Sequence, residues 1–345
     1  MNIQTVTLND ISFVNVISPG ELDIKYLKNN FGFSTLHLDD YINRTQVPKV
    51  ETMKDYMLVV LDFPFIPQSN QPTTPTKTET KTKSPIDTLL NLPPAALSSV
   101  QLPTFISQDK KKRILSSQID IFIGKNYVVV VHEGALTPIN DIFSLCQKTL
   151  NNRRQFMEEG PIFLSYKIID TLVDSAFPIL NELTGSIDKI DKDLEDRPTS
   201  DTLENISVTR RNIVVFQTMI KPLLPIFHQV EEGTYKQLNG TMQQFWGNVV
   251  DHLQKIWDRL EDSRELIEGI SESNESLLTS KTNEIIKVLT IFSAIILPLN
   301  LFASIYGMNI MLPSAHDTSI FWTLMGLMTL TSVTMLVIFK YKRWF

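Results

Sequence analysis

VLTIFSAIILPLNLFASIY (residues 288–306) and IFWTLMGLMTLTSVTMLVIF (residues 320–339) decide the architecture, because neither stretch carries a charged side chain. As helices of 19 and 20 residues they reach roughly 28 and 30 Å, the thickness of a bilayer's hydrocarbon core. Between Val288 and Phe339 the only charged group is Asp317. Helices buried in soluble cores rarely run so far without a Lys or Glu, so the pair reads as a membrane hairpin joined by the short connection 307–319.

Working outward, the basic residues give the hairpin a direction. Lys281 and Lys287 precede the first span, Lys340, Lys342 and Arg343 follow the second, and the connection has no Lys or Arg. The positive-inside rule then predicts both ends in the cytoplasm, in the plasma (inner) membrane, with 307–319 outside. Met1 to Asn15 lacks a basic-then-apolar secretory pattern, so everything before the hairpin is expected in the cytosol. Asn-x-Ser/Thr matches at Asn43, Asn205, Asn239 and Asn274 would lie on that side and carry no meaning as glycosylation sites. Trp322, Tyr341 and Trp344 stand where interfacial aromatic anchors are expected.

The chain has 345 residues and a formal charge of −6, and the three basic residues and one acid after residue 287 leave the preceding part at −8. That acidity argues against nucleic acid as a partner. The single cysteine, Cys146, excludes a disulfide framework and a multi-Cys zinc site. There is no P-loop, no Gly-x-Gly-x-x-Gly and no His-Glu-x-x-His, so no enzyme class is supported and no cofactor is implied. His37, His132, His228, His252 and His316 are scattered and read as structural.

Residues 1–160 read as an α/β domain. Tyr56–Leu61, Ile119–Ile123 and Tyr127–Val131 are apolar, β-branched runs, and Gly124-Lys125-Asn126 is a plausible hairpin turn between the last two. Within this domain 67–112 is a low-complexity insertion, rich in Pro, Thr and Lys over its first part, and is expected to be disordered. Residues 161–235 read as antiparallel long helices, with Ile168, Leu172, Ala176, Ile179, Leu183, Ile187 and Ile190 at three- and four-residue steps. Arg197-Pro198 breaks the first of them, and a return helix is expected from about Asp201 to Lys221.

Residues 236–306 read as one stalk helix continuing into the first span. Met242, Trp246, Val249, Leu253, Ile256, Leu260, Ile267, Ile270, Asn274 and Leu277 follow a 4–3 beat, with Ser263 in one seam position. A sustained heptad asks for identical neighbours around a common axis. Carried into the membrane, that beat is expected to meet Asn283, Thr290, Ser293, Asn300 and Ser304, with Ile286 and Leu297 between them. Uncharged polar groups in a span face protein or water. They either pack helix on helix or line a water-filled path; five on one face favour the path, with Ile286 and Leu297 as apolar constrictions. The second span, 320–339, has hydroxyls but no such stripe, and 340–345 is a basic tail.

Tyr306-Gly307-Met308-Asn309 closes the first span. With the terminal hairpin, the basic tail, Lys281-Thr282-Asn283-Glu284, Lys287-Val288-Leu289-Thr290, Gln46–Glu51 and Val131-His132-Glu133, it resembles the CorA family of magnesium transporters, whose mark is Gly-Met-Asn after the first span. The resemblance covers nearly the whole chain outside the insertion. It implies a funnel-shaped homopentamer in the lipid bilayer: an αβα cytosolic domain, a helical stalk and a two-helix transmembrane hairpin, an α+β membrane protein. It implies passive uptake of Mg2+, and of Co2+ and Ni2+, gated by cytosolic Mg2+, which is cargo and regulator rather than cofactor. By the same resemblance Gly307, Met308 and Asn309 form the external ion site, Leu289 and Leu297 fall at hydrophobic-gate positions, and Glu272 and Asp170 are regulatory metal ligands. Asn300 and Ser304 depart from the Thr and Gly frequent in relatives, and the outer loop keeps one acid, Asp317. A zinc transporter of the same superfamily and a membrane-anchored sensor or scaffold remain as alternatives.

Overall fold

The computed structural model describes residues 2–43, 47–67, 113–196, 200–239, 242–308, 318–342 and 344. Most of the insertion, 68–112, and the break at Arg197-Pro198 therefore lie outside the described residues, as do Gln46, Asn309 and the rest of the connection to residue 317. Two compact units are present, Met1–Glu268 and Gly269–Phe345.

The first unit is built on a six-stranded sheet of order β1-β2-β6-β5-β4-β3. Its strands are β1 (Ile3–Leu8), β2 (Ile11–Ile17), β3 (Lys49–Thr52), β4 (Tyr56–Phe65), β5 (Leu115–Gly124) and β6 (Tyr127–His132). All neighbours are antiparallel except β2 and β6, which run parallel. The Val128–Val131 run is almost wholly buried, as a strand covered on both faces requires. The β5–β6 hairpin turns at Lys125-Asn126 as expected, and a Cβ on Gly124 would stand 2.3 Å from the Tyr127 ring, so a larger residue there must displace that side chain. On one face, α1 (Glu21–Phe31) and α2 (Thr35–Asn43) bring Leu27, Phe33, Leu38 and Tyr41 onto Val14, Val16, Leu58, Val60, Phe122 and Val131. Phe33 stacks on Phe122 with centroids 4.1 Å apart. On the other face, α3 (Thr137–Lys148) sets Phe143 edge-on to Phe13, and α4 (Leu150–Met157) follows it. The αβα expectation is therefore met, with β1, β2 and β3 added to the strands anticipated.

Two long helices complete this layer. α5 (Pro161–Asp196) packs against β4, β5 and β6 and against α6 (Ser200–Glu231). α6 extends ten residues past the expected end at Lys221, through Pro222 and Pro225. Each proline removes a backbone donor. Leu223, Phe227 and Val230 are nonetheless fully buried, so packing carries the helix through. α6 is also long and apolar enough to cross a membrane, but Ile213, Phe216, Ile220 and Leu223 place it in the core of this unit.

After the short α7 (Lys236–Asn239), α8 runs unbroken from Gln243 to Tyr306, about 96 Å at 1.5 Å per residue. The heptad expectation needs correcting here. Trp246, Val249, Leu253, Ile256, Leu260 and Ile267 are completely buried within a single chain, so the seam is filled by the chain's own elements and not by identical neighbours. A 4–3 beat reports that one face is covered; it does not report by whom. Trp246 anchors this seam: its indole N–H donates to the Leu238 carbonyl at 2.9 Å, and its ring lies edge-on to Tyr166 and stacked near Phe227. Trp246→Ala should cost about 3–5 kcal/mol and lower the apparent Tm by roughly 10 °C. Thermal unfolding of the full chain in detergent measures this; a shift under 2 °C would mean the seam collapses onto the vacancy.

The second unit contains the C-terminal part of α8 and α9 (Thr318–Tyr341). On α9, Leu324, Met328, Thr331, Ser332, Met335 and Phe339 form a half-buried stripe at helical spacing. On α8, Ile291 is buried and Ala294, Ile295, Pro298, Leu299 and Phe302 are half-buried. These are the only covered stripes of the hairpin helices among the described residues.

Candidate ion path and metal-ligating cluster

The covered face of α8 fixes where its polar face lies. Counted from Ile267, the 4–3 beat passes Ile270, Asn274 and Leu277 and lands on Ile291, Ile295, Pro298 and Phe302, the covered side. Asn283, Thr290, Ser293, Asn300 and Ser304 therefore do not continue the stalk seam, contrary to expectation. At 3.6 residues per turn they centre roughly 140° around the helix from it. All five are exposed in the single chain, and so are Ile286, Leu289 and Leu297, the last at 69%. This is a stripe of amides and hydroxyls interrupted by aliphatic side chains, with no charge between Val288 and Tyr306. The Thr290 hydroxyl donates back to the Ile286 carbonyl at 2.7 Å, leaving its oxygen outward as an acceptor.

The hydroxyls of α9 make the same kind of bond as Thr290. Thr329, Thr331, Ser332 and Thr334 each donate to the carbonyl four residues back, at 2.6–3.0 Å. Four of its polar side chains are thus satisfied by their own helix, which suits a span facing lipid. At the end of α8 the Gly307 N–H donates to the Ala303 carbonyl at 2.8 Å. A Cβ on Gly307 would sit 3.0 Å from that oxygen. Gly307 and Met308 are exposed.

In the first unit a second group of ligating side chains comes together. Asp170 and Asp174, one turn apart on α5, face His252 of α8, and one ligand atom from each lies within 4.8 Å of the others. His252 Nδ1 is 3.0 Å from Asp174 Oδ1, and Asn248 Nδ2 donates to Asp170 Oδ1 at 3.3 Å. Burial, and then the neighbouring Asp174 carboxylate, holds Asp170 above the usual carboxylate range. Tyr166 is pushed up to about 12, by burial first and then by Asp170. Glu272 is exposed on α8 and belongs to no such group among the described residues. Asp174 and His252 were not singled out as ligands from the sequence, because 78 residues separate them.

His132 and His37 behave as structural residues. The Gly134 N–H donates to His132 Nδ1 at 3.1 Å, which puts the ring proton on Nε2 to donate to Asn15 Oδ1 at 2.9 Å. Burial lowers His132 to about 4, so the ring stays neutral. His37 is clamped between Tyr56 Oη at 3.0 Å and Glu51 Oε2 at 3.0 Å.

An αβα unit leading through one unbroken helix into a two-helix apolar hairpin, with a polar stripe on the hairpin's uncovered face, defines a membrane transport protein. The sequence profile of the family described as CorA-like Mg2+ transporter protein matches residues 96–343, and the chain belongs to that family. It is similar to the cobalt/magnesium transport protein CorA of Thermotoga maritima, with 26% identity over 91% of this chain and 77% of the relative. The protein of the same description in Methanocaldococcus jannaschii is 21% identical over 98% and 94%. The complete structure of the CorA magnesium transporter from M. jannaschii superposes with a TM-score of 0.74 at 18% identity, covering 99% of this chain and 94% of that one. The cytoplasmic domain of ZntB from Vibrio parahaemolyticus shares the fold at a TM-score of 0.53 and 11% identity, over 79% of this chain and 90% of that one.

Proposed function

We propose that five copies of this chain surround one pore through which Mg2+ enters the cell passively, with both termini cytoplasmic and Co2+ and Ni2+ as further cargo. The observation that carries this reading is the uncovered polar stripe from Asn283 to Ser304. Lipid cannot satisfy the amides of Asn283 and Asn300, and the covered residues of α8 lie on a different face, so copies of α8 turned towards a common axis are the arrangement that wets them. Neutral oxygens suit Mg2+, which dehydrates reluctantly: they hold its water shell without binding the ion too tightly to release it. A divalent ion crossing 100 mV gains about 4.6 kcal/mol, so an inside-negative potential drives uptake without ATP.

Gating by cytosolic Mg2+ follows from the charge. The part before the hairpin carries −8 per copy, and carboxylates such as Glu272 and Asp170 repel one another in an assembly unless Mg2+ bridges them. Occupied sites favour a closed ring, by no more than the ion's differential affinity for closed over open. Proteoliposomes loaded with a trapped fluorescent indicator test the whole reading. Mg2+ influx should rise with an inside-negative potassium diffusion potential, fall with internal Mg2+ and exceed Zn2+ influx; potential-independent or absent influx rejects it.

Leu297 and Leu289 would narrow this path as rings of aliphatic side chains that gate by dewetting. Leu297→Ser should hydrate the constriction and raise leak at high internal Mg2+ several-fold, while the hairpin's covered face stays intact. Size-exclusion chromatography and flux together decide it: a lost oligomer instead of a leak would put Leu297 against a neighbouring helix.

A further inference from the structure

We infer that a cavity at one end of the sheet binds a nucleoside phosphate. Its volume is about 490 Å³, which suits a small organic ligand. It lies wholly in the Met1–Glu268 unit and stands whether or not the chain conducts Mg2+.

Two tight turns build its cationic side. The Met53 N–H donates to the Tyr56 carbonyl at 2.9 Å and closes the β3–β4 turn around Lys54 and Asp55. Lys125 stands in the β5–β6 turn, which is tied to β2 where the Asn126 carbonyl accepts the Ser12 N–H at 2.9 Å. Tyr56 pairs with Gly124 across β4 and β5, so both turns leave the sheet at the same end. Lys54 and Lys125 line the cavity from these turns and are exposed. Among the described residues neither has an ion-pair partner. Two ammonium groups held on short turns and left unpaired attract phosphate.

The rest of the lining selects among phosphates. Met57, Ile123 and Leu238 are buried and Ile162 is half-buried, giving an apolar floor between the sheet, the start of α5 and α7. Asp55 and Gln237 add one carboxylate and one amide. A nucleotide uses all of these at once. The floor covers the faces of its base, and an amide offers a donor and an acceptor to the base edge. A carboxylate accepts hydrogen bonds from the ribose hydroxyls, as acidic residues do in dinucleotide sites. Inorganic phosphate would leave the floor empty and be repelled by Asp55. A fatty acid brings one charge to two ammonium groups and has no donor for that carboxylate. Leu238 also joins the cavity to the stalk, because its carbonyl accepts the Trp246 indole N–H at 2.9 Å. An occupant therefore braces α7 at the root of α8.

The test is calorimetric titration of the full chain in detergent, with EDTA present to keep metal off the phosphates. ADP and UDP are the probes, one purine and one pyrimidine. At least one should bind in the micromolar range, one molecule per chain, and raise the apparent Tm. The matching nucleoside and pyrophosphate, each keeping part of the contacts, should bind at least about ten-fold more weakly. Lys54→Gln and Lys125→Gln should each weaken the nucleotide by about ten-fold; both positions are exposed, and circular dichroism establishes that the fold persists. Ile162→Trp should block binding with both lysines in place. The inference is overturned if neither nucleotide binds, if pyrophosphate binds as tightly as the nucleotide, or if both lysine variants bind like wild type. Mg2+ influx measured on the same preparations separates the two readings: absence of influx in wild type rejects the pore and leaves this site standing.

Discussion

Proteoliposomes carrying Asn309→Ala should take up Mg2+ no faster than empty liposomes, while the variant assembles like wild type. In the proposed pentamer Asn309 follows the end of α8 directly after Gly307 and Met308, and five amide carbonyls there would be the first protein oxygens a hydrated ion meets. An incoming Mg2+ exchanges contacts with bulk water for contacts with those carbonyls. Without them it must leave water for an alanine-lined mouth, and a hard divalent ion has no compensation for that step. The change leaves in place the hairpin's covered residues, Ile291, Ile295, Pro298 and Phe302 on α8 and Leu324, Met328 and Met335 on α9. Indicator-loaded liposomes measure the flux, and size-exclusion chromatography the assembly. Uptake near the wild-type rate would remove Asn309 from the path and leave the inner stripe, Asn300 and Asn283, to select the ion.

The parts of this molecule legible in its sequence are those whose signal is local. Two charge-free runs gave the hairpin, the valine run with Gly124 gave the β5–β6 turn, and helical spacing from Ile168 to Ile190 gave α5. What was illegible depends on partners far along the chain. The strands Ile3–Leu8 and Ile11–Ile17 are six and seven residues long and mixed in polarity, and they gain their identity only by pairing with each other and with β6. The stalk's heptad was real, but its partners are elements of the same chain, which periodicity cannot reveal. The site divides in the same way. The polar stripe and Gly307-Met308-Asn309 lie on one contiguous segment and could be found by counting. His252 could not, because its meaning comes from α5. The stripe's angular offset from the seam was also missed, since two 4–3 patterns a few residues out of phase look like one in sequence.

A buried acid inside the sheet supports the prediction with the largest expected effect on stability. Asp120 on β5 is fully buried opposite Val60 and Val131, one oxygen taken by Gln118 at 2.7 Å and Oδ2 without a partner. Burial raises it to about 7, with Asp62 and Asp40 adding to the rise while Gln118 and Lys49 oppose it. Between the unfolded value near 3.8 and 7 the folded chain therefore holds a proton that the unfolded chain has released. Stability from this group is complete below about 3.8 and is lost as pH rises to about 7, by up to about 4 kcal/mol. His132 works in the opposite sense: lowered to about 4, it loses stability as pH falls below 6.5, because only the unfolded chain takes up the proton. Between pH 4 and 6.5 the two slopes cancel. Asp120→Asn keeps the shape and the Gln118 contact but removes the ionisation. The variant should thus be more stable than wild type at pH 8, by up to about 4 kcal/mol, and should gain stability relative to wild type as pH rises from 4 to 7. Thermal unfolding of both full-length proteins across pH 4–8 gives the difference directly, with all other carboxylates common to both. If the difference between the two does not vary with pH, Asp120 is ionised in the folded sheet as readily as in the unfolded chain, and its buried oxygen has found a partner.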